Sequence, residues 1–532
     1  MNGFEFDFPA SFNLCEYFLD HNLAAGRGDN TALICGSESR TYAQVSDGAK
    51  RLAATLRRHG HRPEERVLIV MPDCFEFAEA FFGILRAGGV FAMVNPLLKR
   101  EDFEYYLAYS KARIVITHES VLPEISAAAQ ASSITETLLV VGSDAGEFTS
   151  YAEALAAEDP NSDLAQMAPT GPDDLAGWLF TSGSTGHPKA CVHMQRDFAY
   201  STETYAKQVA GYRESDICMG VPKLFFGYAT GTNLMFPFAV GATAVLFEAR
   251  STADELFDQI EAHHPTFLTN VPTLINNMLR SPRMDQVDLS SLRLSLSAGE
   301  ALPPALLEEW LKRTDVEILD GIGSAEMFHI YISNYPGDVR PSSLGRIVPG
   351  YEAQIVGEDG QVLEVGGVGH LRVRGGSTAL CYWADKRKSN ETFQAEWCTS
   401  ADCFRRDAEG YYYYEGRSDD LLKVSGIFVS PLEIENELLR HEAINEVCVV
   451  GREDKDGLVK PLAFAVLSDS ATGSGQLATE LKSFLKDSLA PFKYPRWFVW
   501  RESLPKNDRG KVARKVLRVE AVQSGLEFST PD

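Results

Sequence analysis

The sequence predicts an α/β fold, with a large N-terminal domain of stacked, largely parallel sheets and a small β body, followed by an α+β C-terminal domain. Three observations carry this expectation. From residue 66 onward, short apolar runs alternate with helix-length amphipathic stretches, the βαβ rhythm of parallel sheets covered by helices. Near residues 351–376, glycine-bounded apolar clusters read as a separate β body. Just before residue 430, a polar, glycine-containing segment precedes a fresh helix start.

Taken in order, RVLIVM (66–71) reads as a strand, CFEFAEAFFGILRAGG (74–89) as a helix and VFAMVNP (90–96) as the next strand. The rhythm continues through the helical EDFEYYLAYSKA (101–112) and the strands RIVIT (113–117) and TLLVV (137–141). YEAQIVG (351–357) and GHLRVRGG (369–376) supply the β body. After EGRSDDLLKVSG (415–426) come a helix from SPLEIENELLR (430–440), strands INEVCVVG (444–451) and PLAFAVL (461–467), a helix in LATELKSFLKDSL (477–489) and a strand in RWFVW (496–500). The domain boundary is therefore expected at 418/419, giving domains 1–418 and 419–532.

The chain has 532 residues, more than a single hydrophobic core usually serves. With 45% hydrophobic and 23% charged residues it has ordinary globular composition. A net charge of −24 and the lack of a basic tail argue against nucleic acid and anionic membrane as partners. An anionic ligand would need locally placed cations or metal. Nine cysteines, with no close CxxC pair, fit reduced thiols better than a disulfide framework. The opening MNGFEFDFPASFNL lacks a basic region followed by an apolar stretch, and no segment offers about 18 uninterrupted apolar residues. A cytoplasmic location is expected.

Four segments carry chemistry. In WLFTSGSTGHPKA, a strand ending at Phe180 leads into Thr181, Ser182, Gly183, Ser184, Thr185, Gly186, His187, Pro188 and Lys189. Small residues let backbone N–H groups approach phosphate oxygens, hydroxyls add donors and Lys189 adds a point charge, so a polyphosphate is the natural ligand. Pro188 stands five residues after Gly183 and no GK[ST] follows, so this is not a Walker loop. In ILDGIGSAEMFHI, Glu326 follows two close glycines and could ligate a magnesium ion carried by a nucleotide. In TSADCFRRDAEGYYYYEGRSDDLLKVSG, Asp402, Arg417 and Asp419 flank a tyrosine run; a carboxylate can accept from ribose hydroxyls and an arginine can add a clamp. In LPKNDRGKVARK, Lys506, Arg509, Lys511, Arg514 and Lys515 form a basic run, from which a lysine could reach an α-phosphate on domain closure. Taken singly, these residues leave open a surface turn, a solvated glutamate, an edge strand with surface ion pairs and a solvated basic face.

In order and spacing, TSGSTGHPKA, SAGEALP, GIGSAE, SADCFRRDAEGYYYYEGRSDD and LPKNDRGK resemble the adenylate-forming superfamily of acyl-CoA synthetases, adenylation domains and luciferases, over nearly the whole chain. PKLFFGYATGTNLMFPFAVGAT, DGIGSAEMFHIYISN and GGSTALCYW look like its benzoate–CoA ligase branch. The resemblance implies that 181–189 hold the β- and γ-phosphates of ATP, with Gly299, Glu300, Asp320 and Gly321 also at the nucleotide and Glu326 on Mg2+. It further implies that Asp402 and Arg417 hold the ribose, that Lys511 is the catalytic lysine of adenylation, and that Asp419 is the hinge of a mobile C-terminal lid. Ser425 and Gly426 would line the coenzyme A tunnel, and Phe226, Gly227, Tyr228, Gly321, Gly323, His329 and Ile330 the aryl pocket. Gly227 is expected to leave extra room beside the ring.

Three positions depart from the family pattern: Ala325 for a threonine, Ala190 for a glycine, and Ser400-Ala401-Asp402 for Thr-Gly-Asp. The first removes a hydroxyl worth roughly 0.5–1.5 kcal/mol if nothing replaces it. The expected activity is ATP-dependent conversion of a small aryl carboxylate, of the benzoate, hydroxybenzoate or aminobenzoate type, to an aryl-adenylate and then an aryl-CoA. Transfer to a carrier protein and non-catalytic nucleotide binding are the alternatives.

Overall fold

The computed structural model describes residues 6–182, 187–417, 420–424, 427–454, 458–468, 471–486, 488–506, 512–523 and 528–529. Among these residues the N-terminal part holds two large sheets and one smaller antiparallel sheet. In the first large sheet the strands Val90–Met93, Arg66–Val70, Ile114–His118 and Thr137–Val141 lie side by side and parallel. Their near-continuous apolar sequence follows from burial on both faces: Val67, Leu68, Ile69 and Val70 are all fully buried.

Leu175–Ser182 joins that sheet parallel to Val90–Met93, and Pro188–Met194 folds back antiparallel to it. Here the structure corrects the sequence-based boundary. The strand runs two residues past Phe180, because Thr181 pairs with Lys189 and Ser182 with Pro188 in the antiparallel ladder. The hydroxyl- and glycine-rich segment is thus the connection of a β-hairpin, and Lys189 stands on its return strand. Cys381–Tyr382 pairs antiparallel with Pro188–Met194 and forms the edge of the sheet.

The second large sheet places Ile318–Gly323, Leu294–Ser297, Phe267–Asn270, Ile217–Gly220, Thr243–Leu246 and Thr31–Cys35 parallel and adjacent, flanked by antiparallel strands. One apolar cluster draws on both sheets and on the helices Tyr42–Arg58 and Phe75–Arg86. The first of these helices starts where its sequence says it should. Thr41 Oγ1 accepts from Gln44 N at 3.2 Å and Gln44 Oε1 accepts from Thr41 N at 2.8 Å, a reciprocal cap.

The smaller sheet is antiparallel, built from Glu352–Val356, Gly369–Arg374, Trp397–Arg406 and Tyr412–Arg417 with the short strand Phe393–Gln394. Beyond it, residues 422–521 supply two apolar clusters of their own around Ile444–Glu453, Val459–Leu467 and Trp497–Arg501. Arg514 departs from the solvated role open to the basic run. Its guanidinium forms a two-pronged pair with Glu435 at 2.6 and 3.0 Å, tying the helix Arg514–Gln523 to the helix Pro431–Leu438. Among the described residues no helix is long and apolar enough to cross a membrane.

Candidate active site

The hairpin strand Pro188–Met194 and the edge strand Cys381–Tyr382 bring four groups together. Lys189 Nζ donates to Asp385 Oδ2 at 2.7 Å and lies 5.9 Å from the centre of the Tyr382 ring. Tyr382 in turn donates its hydroxyl to Glu326 Oε1 at 2.6 Å. The backbone of Glu326 is held as well, its carbonyl accepting from Ala379 N at 2.8 Å. Lys189 and Glu326, which sequence assigned to phosphate and metal, are therefore tied to one short segment, 382–385.

Beneath Glu326 lies a buried histidine–aspartate pair. His193 Nε2 sits 2.7 Å from the Ala325 carbonyl, while its Nδ1 lies 2.9 Å from Asp197 Oδ2. Both side chains are sealed from solvent, so the contact fixes the backbone one residue ahead of Glu326. Buried Cys191 also faces the Glu326 carboxylate; burial first, and that carboxylate second, push its thiol well above the ordinary range, so it is an inert neutral neighbour.

Asp402 stands opposite Arg417 in the antiparallel register of Trp397–Arg406 and Tyr412–Arg417. Its amide donates to Ser400 Oγ at 3.0 Å, so the serine of Ser-Ala-Asp supports the register shift of this strand between Thr399 and Cys403. Buried Tyr331 links this region to the metal candidate: burial raises its hydroxyl pKa most, and the charges of Asp402 and Glu326 raise it further. Asp320 is buried within the strand Ile318–Gly323, opposite Ser297. Burial pushes its carboxyl up to about 8, the nearby Ser297 hydroxyl and Gly321 N–H opposing the shift. Glu300 is engaged at the start of the helix Pro272–Arg280, its Oε2 accepting from Thr273 N at 3.1 Å and Thr273 Oγ1 at 2.8 Å. Gly299, beside it, adopts φ +86°, which favours glycine.

The aryl candidates converge on His329. The antiparallel pairing of Ile318–Gly323 with Ile330–Ser333 sets Gly323 opposite Ile330 and Gly321 opposite Ser333. The connection includes a γ-turn at Phe328, with φ 63° and ψ −58° closed by His329 N to Met327 O at 2.8 Å, a rare and strained conformation. It turns His329 inward, where the rings of Phe236, Tyr228 and Tyr205 surround it at 4.6, 5.3 and 5.5 Å. His329 Nε2 donates to the Tyr228 carbonyl at 3.1 Å, and burial lowers the imidazole pKa to about 3, so the ring is neutral. Phe226 is 37% exposed, its ring 4.3 Å from that of Phe225.

One expectation fails here. A Cβ at Gly227 would sit only 3.3 Å from Leu179 Cδ1, so the space beside this glycine is already filled by the strand Leu175–Ser182. Gly183, Ser184, Thr185, Gly186, Asp419, Ser425, Gly426 and Lys511 lie outside the described residues, as do the side chains of Ser182 and Arg417. Tyr382, Asp385, His193, Asp197, Tyr205 and Gly231 were not singled out from sequence. Only Asp385 carried a local signal, an aspartate directly before a polar helix, where it caps by accepting from Lys388 N at 2.9 Å.

The family profile described as AMP-binding enzyme matches residues 20–383, and that described as AMP-binding enzyme C-terminal domain matches residues 433–511. Benzoate–CoA ligase of Thauera aromatica is 42% identical over 96% of both chains. The 4-hydroxybenzoate–CoA/benzoate–CoA ligase of Rhodopseudomonas palustris is 38% identical over 97% of this chain and 95% of its own. Among solved structures, the anthranilate CoA ligase AuaEII in complex with anthranoyl-AMP aligns with a TM-score of 0.91 at 37% identity, covering 97% of this chain and 98% of that one. A benzoate CoA ligase from Burkholderia xenovorans LB400 aligns with a TM-score of 0.87 at 41% identity, covering 95% and 100%. With both profiles matched in order and relatives aligned along nearly its whole length, the chain belongs to the AMP-binding enzyme family, in the branch of the benzoate–CoA ligases.

Proposed function

We propose that this enzyme uses ATP to convert a small aryl carboxylate to an aryl-adenylate and passes the aroyl group to coenzyme A, releasing AMP and pyrophosphate. The observation that carries it is the continuity of two sites. The strand Leu175–Ser182 leads into the phosphate hairpin and also lends Leu179 to the wall against Gly227. The segment 318–330 likewise supplies both Glu326 and His329. An acid lodged beside His329 and a nucleotide on the hairpin would therefore meet between these two elements.

A carboxylate resists attack by a thiol because its charge is delocalised and oxide is a poor leaving group, so AMP is attached first. In the first half-reaction the acid's oxygen attacks the α-phosphate and pyrophosphate leaves. Lys189 and the hairpin hydroxyls would bind the phosphates, Asp402 and Arg417 the ribose, and Lys511 the oxygens where charge develops. Neutral His329, Tyr228 and Phe226 would orient the ring and exclude water. In the second half-reaction the pantetheine thiol attacks the acyl carbon along a path lined by Ser425 and Gly426, after rotation about Asp419 removes Lys511. The domain boundary at 418/419 would serve as that hinge.

Glu326 fits a magnesium ion carried by the nucleotide. It offers one carboxylate, oriented by the Tyr382 hydroxyl on Oε1, and Mg2+ is normally held by one or two carboxylates together with substrate phosphates. When bound there, the ion would neutralise charge on the phosphoryl oxygens.

The high identity to relatives named as CoA ligases favours free coenzyme A over a carrier protein as acceptor. The test is acid-dependent exchange of pyrophosphate into ATP with a panel of benzoate, hydroxybenzoates and aminobenzoates, with coenzyme A added separately to follow thioester formation. Exchange with none of these acids would refute the proposal, and exchange without thioester on coenzyme A addition would redirect it to a carrier protein.

A further inference from the structure

Asp385 has two carboxylate oxygens and two distinct partners. Oδ1 caps the helix Lys386–Thr392 by accepting from Lys388 N at 2.9 Å, and Oδ2 accepts from Lys189 Nζ at 2.7 Å. The contact spans 196 positions in sequence, and both side chains are largely shielded, at 14% exposure for Lys189 and 29% for Asp385. The Lys189 ion pair holds the Asp385 carboxyl below its usual range, so it is a full negative charge at neutral pH. Lys189 is thus paired by an anion of its own protein in the position assigned to a phosphate's cation.

We propose that Asp385 is a built-in competitor for Lys189, a residue that sets ATP affinity because the polyphosphate must displace its carboxylate from the lysine. The inference rests on the assignment of Lys189 to the phosphates. An ammonium has three donors, but a carboxylate 2.7 Å away both occupies one of them and repels an incoming phosphate. In return Asp385 holds a flexible lysine, which would otherwise sample many rotamers, against the strand edge beside Tyr382. Tyr382 and Asp385 belong to one strand-to-helix connection, so the segment that orients Glu326 also restrains Lys189.

Asp385→Asn removes the charge while keeping an oxygen that caps a helix nearly as well. The dissociation constant for Mg·ATP, measured by calorimetry without any acid, is expected to fall by about two- to tenfold, the scale of one partly shielded ion pair. Asp385→Ser retains the cap with a shorter side chain and is expected to act in the same direction, which keeps the test decisive if the asparagine variant folds poorly. Lys189→Ala is expected to weaken Mg·ATP binding, and Asp385→Asn should have no further effect in that background. A loss of helix capping alone would lower thermal stability without tightening ATP. If Lys189→Ala weakens binding but both Asp385 variants leave it unchanged or weaker, the inference is overturned. If Lys189→Ala itself leaves Mg·ATP binding unchanged, the phosphate assignment fails and the inference falls with it.

Discussion

Gly231→Ala tests the proposed acid site apart from the proposed nucleotide site. A Cβ at Gly231 would lie 2.4 Å from His329 Cδ2 and 2.6 Å from His329 Nε2, with Phe236 Cζ at 3.2 Å. The imidazole would need to retreat by about 1 Å to reach ordinary van der Waals contact. It has nowhere to go, being 2% exposed and walled by Tyr205, Tyr228 and Phe236. Overpacking of this kind costs about 1–3 kcal/mol, and tearing Nε2 from the Tyr228 carbonyl adds about 1 kcal/mol. Alanine recovers about 1 kcal/mol through its better helical propensity at this helical position, leaving a net cost of about 1–3 kcal/mol. The crowding presses the imidazole toward the proposed ring site, so the acid must overcome part of this cost on binding. In pyrophosphate exchange with benzoate varied, the KM for acid is expected to rise at least about fivefold, with about 150-fold as the ceiling set by the whole cost. The KM for ATP should change less than about twofold, because the contacts of Lys189 and Glu326 are untouched. Adding His329→Ala should relieve the clash and restore thermal stability toward that of the histidine variant alone. An unchanged acid KM in folded Gly231→Ala protein would refute the placement of the aryl ring beside His329.

Tyr382→Phe removes the hydroxyl that orients Glu326, a bond to a charged acceptor worth about 1.5–3 kcal/mol, and should lower exchange kcat/KM for ATP about tenfold or more while sparing the acid KM. Equal loss on both substrates would speak for general damage instead. Glu79→Gln probes linkage. Burial, then Glu76, raise the Glu79 carboxyl from 4.5 to about 8, so the folded state keeps a proton that the unfolded chain releases, and stability is lost as pH rises across that window. At about 1.4 kcal/mol per pH unit, the variant should gain about 2–4 kcal/mol more over wild type at pH 8 than at pH 5 in urea unfolding; a pH-independent difference would contradict the buried neutral carboxyl. Lys511→Ala should abolish adenylate formation yet still convert supplied aryl-adenylate to thioester, and equal loss of both half-reactions would count against alternation of the C-terminal domain.

The fold was legible because burial on both sheet faces writes itself into sequence as apolar runs, seen in 66–70 and 137–141. The hairpin's composition carried the expectation of a phosphate loop but not where its strands stop, since Thr181 and Ser182 are drawn into the ladder by partners on the return strand. Gly227 misled for a related reason. A missing side chain predicts space only when nothing else moves in, and Leu179 does.

Sequence alone determined the α/β class, the order of the chemical segments, and Lys189, Glu326 and Asp402 as the groups to watch. Each lies in a local cluster of glycines, hydroxyls and charges whose chemistry is readable from neighbours in the chain. Tertiary structure alone decided what those groups touch. Tyr382 meets Glu326 across 56 positions, His193 meets the Ala325 carbonyl across 132, and Asp385 meets Lys189 across 196. The Tyr382 and Asp385 contacts arise because Cys381–Tyr382 adds to the edge of a sheet begun by residues far earlier, and strand pairing, unlike helix capping or turn formation, can join residues far apart along the chain.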